Sequence, residues 1–587
     1  MIEPSPEQQL VIDAPLVPLA VTACAGSGKT ATAIQRLVEM RRRLAGAKGR
    51  IALLSFSNVA VETFRQGYQE LSQTLPSGSG RNRVDIDTLD GFITTQVVKA
   101  HAHRTMGAVQ TAFLVTGGES FLAGFNCPTR DHPIPISEIK VRFEAGQPLF
   151  YYTVHGNEML LNQADAIRVV ARLGRLGGYT HDLGRYWCYR VLSEQPVVLR
   201  ALARRYPHII VDEAQDIGVL HQELLELLIG AGVQVSLIGD PNQAIYEFAD
   251  ADGLFLRNYH ERDGVAPYRL TRNYRSLPSI LNVANHLSGR ADDPDRDDAP
   301  PPLGAYFIGY SEQALPSLLD AFHADLDRQA INPDRAAVVC RAAVMASRLS
   351  GARDPEGRGA VKLFAEAALL RDQRSDFLGA FRMVARGVVS QLDGPPPGLL
   401  NRLSGVAHDR ELRELRRRLW LFTRDPAQGL PASSLPASGQ WLPLLQERVA
   451  QLLREIQRDF GLASLDGLTR RLTRALLPAG PLSAELEVEM EVEQEQEQEQ
   501  EQEPKARVRT VHQVKGESID AVLYVANRAN IEAMLNGMDT EVGRIGYVAV
   551  TRARNLLWLA VPTTALVVLR PRLEQAGFLE VGPAPRE

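Results

Sequence analysis

Eight residues, Ala23-Cys24-Ala25-Gly26-Ser27-Gly28-Lys29-Thr30, place glycines, a lysine and a hydroxyl in an order suited to phosphate chemistry. Gly26 and Gly28 let backbone N–H groups close on phosphate oxygens, with Ala25 and Ser27 completing the loop. Lys29 is then the group that neutralises terminal phosphates, and the Thr30 hydroxyl completes a magnesium shell. Downstream, Asp212 is the candidate for holding magnesium and Glu213 for polarising an attacking water. Gln243 is placed to sense a terminal phosphate. Arg275 and Arg552 are candidates for stabilising charge on a transferred phosphoryl group. Gln8, just upstream of the loop, offers a paired donor and acceptor suited to an adenine edge, and Tyr274 offers a ring to stack on it.

The elements that must hold these residues can be read from apolar runs. Val17–Val21 reads as a strand before the glycine loop, and Ala31–Leu44 as the helix after it. Ile51–Ser55 is a short buried strand that delivers Phe56-Ser57-Asn58 to a loop. Phe56 suits base stacking and equally a core position. Val84–Thr88 is another strand, and Thr88 at its end suits a backbone phosphate. His208–Val211 ends in Asp212-Glu213-Ala214-Gln215-Asp216, with acids at the carboxyl end of a sheet strand, beside a phosphate loop. Val233–Ile238 leads into Gly239-Asp240-Pro241-Asn242-Gln243 and then Tyr246. Val338–Arg341, Ala521–Val525 and Leu556–Ala560 suit a second sheet. Arginines there, opposite Lys29 on the first sheet, give a nucleotide reason to close a cleft between them.

At 587 residues the chain exceeds one core, and three or four domains are expected. Its apolar fraction of 45% and charged fraction of 23% fit a soluble globular protein. The start lacks a basic run ahead of an apolar core, and no stretch reads as a membrane span. Four well-separated cysteines suggest neither a zinc site nor a disulfide framework, so a cytoplasmic setting is expected. The net charge is −5, yet ten glutamates alternate from Glu485 to Glu503, which leaves the rest at +5. That balance permits basic patches for nucleic acid. Tyr186, Trp187 and Tyr189 beside Arg185 and Arg190 suit either a single-strand surface or a core edge. Arg413, Arg416 and Arg417, with Arg418 beside them, give one helix a basic face. The Glu/Gln tract at Glu493–Glu503 reads as a flexible acidic connector, and Leu486–Val492 as an alternating segment suited to an edge strand.

Taken in order, these motifs resemble the superfamily 1A DNA helicases of the UvrD/Rep/PcrA type. Gln8 resembles that family's adenine-reading glutamine, and Lys29, Thr30, Asp212 and Glu213 its phosphate, magnesium and water-activating residues. Ser55-Phe56-Ser57-Asn58 resembles a base-contacting segment, and Gln243 with Tyr246 a segment that links nucleotide to DNA. Asn273-Tyr274-Arg275-Ser276 resembles the adenine-stacking and arginine-finger motif. His512-Gln513-Val514-Lys515-Gly516 resembles a coupling motif, and Thr551-Arg552-Ala553 supplies the second phosphate arginine. Three departures stand out. Ala31 occupies a position where arginine is common, Phe248-Ala249 replaces tryptophan-arginine, and Lys515-Gly516-Glu517-Ser518 replaces Lys-Gly-Leu-Glu, which leaves Glu517 either a shifted ribose contact or a structural role.

The resemblance implies an α/β fold of two RecA-like P-loop motor domains, each with a mainly helical insertion. The first motor domain is expected at 1–91 and 198–265, with an insertion at 92–197. The second is expected at 266–360 and 506–587, with an insertion at 361–505 that carries the acidic tract. It further implies ATP and magnesium as cofactors and 3′ to 5′ movement on single-stranded or tailed duplex DNA, by a monomer or a DNA-dependent dimer. The expected roles are repair, replication restart or recombination. A single-strand translocase that strips bound proteins, and a nucleotide-controlled effector with a partner nuclease in repair or defence, are the alternatives.

Overall fold

A computed structural model describes residues 3–581. The exceptions are 77–78, 116–119, 130–132, 145, 155–156, 247–250, 312–313, 343–344, 347–348, 350–358, 373–375, 394, 397–398, 405–411 and, save for 472 and 482, residues 466–505. The acidic tract, the Leu486–Val492 segment and Phe248 lie outside the described residues.

Continuous apolar runs become strands of parallel sheets, because such strands are covered on both faces. The first sheet contains β1 (Leu19–Ala23), β2 (Ile51–Ser55), β3 (Val84–Thr88), β4 (His208–Val211), β5 (Gln234–Gly239) and β6 (Ala266–Leu270). Their spatial order is β6-β1-β5-β4-β2-β3, every pair parallel. The second sheet contains β7 (Gly304–Tyr310), β8 (Ala336–Cys340), β9 (Arg507–Thr510), β10 (Ile519–Val525), β11 (Ala553–Pro562) and β12 (Leu579–Glu580). Its order is β9-β8-β10-β11-β7-β12, again all parallel.

The boundary expected at 265/266 needs correction. β6 pairs with β1 from Leu19↔Ala266 to Ala23↔Leu270, so the first sheet continues to Leu270. Ala-Pro-Tyr-Arg-Leu alternates half-buried and exposed positions, and Pro267 is tolerated because β6 is an edge strand.

The segment expected as a first, mainly helical insertion is mixed. Helices Lys99–Met106, Gln163–Arg175 and His181–Glu194 accompany an antiparallel sheet of Lys140–Glu144, Gln147–Val154 and Asn157–Leu160. Tyr186 and Trp187 are buried in its core, and Arg185 is spent on Asp90 at 2.6 and 2.8 Å. The second inserted segment is helical, with Gly359–Asp372, Phe377–Val389, Arg413–Arg424 and Leu442–Phe460 around one apolar cluster. On its basic helix, Arg418 pairs with Asp459 at 2.6 Å and Arg417 approaches Glu414. Among the described residues no helix is long and apolar enough to cross a membrane.

Two helices frame the glycine loop. Helix α1 (Pro6–Ile12) starts with a capping box in which Ser5 and Gln8 satisfy each other's backbone N–H groups. Helix α2 (Lys29–Arg43) starts at Gly28 without a side-chain cap. Buried Arg36 joins the two, donating to the carbonyls of Ile12 at 3.0 Å, Ala14 at 2.5 Å and Pro15 at 2.5 Å. Burial pushes its pKa down to about 10, still charged at neutral pH. Arg36→Ala strands these carbonyls, at a cost of about 2 kcal/mol. The first thermal unfolding transition is expected to fall by about 4–8 °C. An unchanged transition would show that α1 is held by other contacts.

Candidate functional site

All six segments with expected chemistry on the first sheet leave it at the carboxyl ends of its strands. The glycine loop follows β1, Phe56 follows β2 and Thr88 ends β3. Asp212 and Glu213 follow β4, Gln243 lies just beyond β5, and Asn273–Arg275 lies just beyond β6. This edge is where open parallel sheets bind ligands.

The glycine loop is packed from two sides. Gly26 and Gly28 adopt φ of 73° and 76°, a region that side chains disfavour. A Cβ on Gly26 would sit 2.7 Å from Arg275 Cβ, and one on Gly28 2.7 Å from Gln8 Nε2. Gln8 donates to the Ser27 carbonyl at 3.0 Å while its Oε1 accepts from Ser5 N at 3.0 Å. One N–H and one lone pair of its amide remain, the pair needed to read an adenine edge. On the other side Asn273 donates to the Ala25 carbonyl at 2.7 Å, and Tyr274 N to the Gly26 carbonyl at 2.9 Å. The N-terminal N–H groups of α2, with Lys29 and Thr30 in its first turn, are available to an anion.

The acids form a crowded turn. Asp212 is 1% exposed, and its Oδ1 has no hydrogen-bond partner. Burial and the neighbouring Glu213 push its pKa well up. A divalent cation fits this position, because it supplies the missing partner of a buried oxygen. Magnesium commonly uses one or two protein oxygens with phosphate oxygens, and Asp212 Oδ1 is an oxygen of that kind. Glu213 has φ of 51°, a strained conformation often found at functional turns. Burial opposes its ionisation, but Lys29 and Lys515 override that and hold it below the usual carboxylate range. Gln215 donates to Glu213 Oε2 at 2.5 Å. Asp216 is buried, which pushes its pKa up to about 6 against the pull of Lys515.

The second sheet supplies the opposite wall. Lys515 Nζ lies 2.6 Å from both carboxylate oxygens of Asp216 and 4.5 Å from the Tyr246 ring centre. Arg552, 1% exposed, donates to Gln243 Oε1 at 3.2 Å and to the Val548 and Glu517 carbonyls. Burial lowers its pKa, and Glu213 raises it in compensation. Arg275 donates to Ser518 Oγ at 2.7 Å and the Thr551 carbonyl at 2.8 Å. Burial and Arg552 push its pKa down to about 9. Gln243 in turn donates to Asp240 Oδ2 at 2.8 Å, and Arg290 holds the other oxygen at 3.4 Å. The Glu517 carboxylate pairs with Arg507.

Expected nucleic-acid residues are more dispersed. Phe56 packs edge-on to His221 with centroids 5.6 Å apart, and Asn58 is exposed at the start of its helix. The Thr88 hydroxyl caps the following helix through Gly91 N at 2.9 Å. Tyr246 lies 5.7 Å from His512, whose Nε2 bonds the Ile245 carbonyl at 3.1 Å. Lys515, Asp216, Asp240, Arg290 and Asn273 receive no individual role from sequence. The contacts that bring them to the site, such as Lys515–Asp216, Arg290–Asp240 and Asn273–Ala25, span tens to hundreds of residues, so spacing carries no signal for them.

A glycine loop, two acids and two arginines around the carboxyl edge of a parallel sheet define a P-loop α/β protein. The family described as the UvrD/REP helicase N-terminal domain matches residues 5–131 and 160–262. ATP-dependent DNA helicase UvrD2 of Mycobacterium tuberculosis is 24% identical over 321 residues, covering 49% of this chain and 43% of the relative. DNA helicase II of Haemophilus influenzae is 32% identical over 105 residues, 18% of this chain and 14% of the relative. The exonuclease/helicase protein RexA of Lactococcus lactis is 35% identical over 107 residues, 17% of this chain and 9% of the relative. The chain spans less than half the length of these relatives. Within residues 5–262, site and matches together make this chain similar to the N-terminal domain of UvrD/REP helicases.

Cys24 belongs to the glycine loop but not to its chemistry. It is buried, and burial with Asp292 and Asp240 pushes its thiol up to about 12. At pH 8 the thiolate is therefore scarce. All four cysteines are buried and free. Alkylation at pH 8 followed by mass spectrometry is expected to leave the native chain unmodified and to label all four after unfolding. Rapid native labelling of Cys24 would contradict this packing.

Proposed function

We propose that this chain is a magnesium-dependent ATP hydrolase that moves 3′ to 5′ along single-stranded DNA, built as two RecA-like motor domains. The observation that carries the reading is the contact across the two sheets. Lys515 reaches Asp216, and Arg552 reaches Gln243, beside the unpartnered Asp212 oxygen.

In this reading Lys29 and the first turn of α2 hold the terminal phosphates, and Thr30 with Asp212 holds magnesium. Magnesium, when bound, neutralises phosphate charge. Glu213, kept ionised by Lys29 and Lys515, accepts hydrogen bonds from the attacking water and orients it. Arg275 and Arg552 exchange their present protein carbonyls for phosphate oxygens and draw the second sheet toward the first. Gln243 joins this movement to Tyr246 and, through Ile245, to His512. Phe56, Asn58, Thr88 and His512 contribute to the single-strand path. Gln8 and Tyr274 read the base, and Glu517 steadies the Arg552 wall through its carbonyl.

Unwinding of tailed duplexes, protein removal without unwinding, and service to a partner nuclease are three uses of the same motor. Matched relatives include proteins whose names join helicase to nuclease or exonuclease, which keeps the partner reading in view. Single-stranded DNA is expected to raise ATP turnover in the presence of magnesium, and a labelled tailed duplex separates the three uses. Glu213→Gln is expected to lower turnover about 10²–10⁴-fold while ATP binding persists. Unchanged turnover would remove Glu213 from its role, and no hydrolysis with any DNA or RNA would count against an autonomous motor.

A further inference from the structure

The two walls of the proposed base site are joined to each other, and not only to the glycine loop. Glu7 lies in the first turn of α1, next to Gln8. Its carboxylate collects three donors from the segment that leaves the first sheet. Thr271 Oγ1 donates to Oε1 at 2.5 Å, and Thr271 N to Oε2 at 2.8 Å. Arg272 N donates to Oε2 at 3.3 Å. Directly after Arg272 come Asn273 and Tyr274, which seat on the Ala25 and Gly26 carbonyls. On the other wall, Gln8 seats on the Ser27 carbonyl. The start of the same segment is also pinned, since Cys24 N donates to the Leu270 carbonyl at 2.8 Å.

We propose that Glu7 is a positioning residue for purine-base selectivity, fixing the separation between the Gln8 edge and the Tyr274 ring. This rests on the ATP-hydrolase reading above and assigns base discrimination within that site to a residue that touches no nucleotide. The geometry is a closed ring: glycine loop, Gln8, Glu7, Thr271, Tyr274 and back to the loop. Each link except Glu7 also belongs to a backbone that other contacts hold. Among the described residues the Glu7 carboxylate carries the hydrogen bonds that tie α1 directly to the crossing segment, and charge-assisted bonds to backbone N–H groups are the stronger kind. Tyr274 has an enclosed hydroxyl with no partner, so its ring position is set by the backbone seat and packing and not by its own polar end. Loosening the segment therefore moves the ring relative to the Gln8 amide. It leaves Lys29, Thr30 and the α2 N-terminus in place, because those hang on β1 and α2.

The test compares Glu7→Ala and Glu7→Gln with the unmodified full chain, using ATP, CTP and inorganic tripolyphosphate with magnesium and single-stranded DNA. Glu7→Ala is expected to raise KM for ATP about tenfold with kcat within about twofold, the size of one charge-assisted contact. The kcat/KM preference for ATP over CTP is expected to fall by a similar factor, while inhibition by tripolyphosphate is unchanged. Glu7→Gln, which keeps one acceptor oxygen, is expected to recover most of the preference. Parallel weakening of ATP, CTP and tripolyphosphate would overturn the proposal, since it reports a distorted phosphate loop. An unchanged ATP-to-CTP ratio would overturn it as well. Equilibrium binding of ATP and CTP reads the same ratio without turnover. An unmodified chain that binds ATP over CTP but hydrolyses neither would remove the motor reading, and the Glu7→Ala binding ratio would still decide this proposal.

Discussion

Three carboxylates within five residues set the terms for the whole site. Asp212 and Asp216 are buried and Glu213 is half-buried between them. Like charges this close, taken out of water, cannot all ionise without cations nearby. Lys29 comes from the first sheet and Lys515 from the second. The acidic turn is therefore balanced only when both sides of the molecule are present. Breaking a buried pair such as Lys515–Asp216 costs about 3–5 kcal/mol. That is large enough to hold the two sheets in register, and small enough for a charged ligand to compete with it.

The remaining contacts follow from this arrangement. Arg552 belongs to the second wall and Arg275, which follows β6, reaches across to it, and both currently spend their donors on carbonyls and neutral side chains. Neutral partners are weaker than phosphate oxygens for a guanidinium. The site thus stores cation capacity in bonds that an anion can outbid. Gln243 stands between these systems, bonded to Asp240 on its own sheet and to Arg552 on the other. In the proposed reading, a change at the phosphate end passes through Gln243 toward Ile245, Tyr246 and His512.

Much of this is legible in the sequence where one segment carries its own signal. β2, β3 and β4 have the expected ends because short apolar or β-prone runs stop at Ser, Thr and Asp. The glycine loop needs only local backbone freedom, so its residues announce it. β6 falls on the other side of the expected boundary because its half-exposed alternation and Pro267 do not look like a sheet strand. Tyr186 and Trp187 suit surface or core on composition, and burial decides for core. The antiparallel strands at 140–160 have weak patterns because only part of each faces the core. Glu7, Lys515, Asp216 and Arg290 act on partners far along the chain. No spacing rule reaches across 264 or 299 residues.

The central claim is that nucleotide and nucleic acid sense each other through the Lys515–Asp216 and Arg552–Gln243 contacts between the sheets. Linkage makes this a measurable free energy. The most direct measurement is single-stranded DNA affinity with and without a non-hydrolysable ATP analogue, for the unmodified chain and for Lys515→Met. The account predicts a shift of about 5–150-fold in the unmodified chain, collapsing toward none in the variant. A shift of the same size in both, or no shift in the unmodified chain, would contradict it.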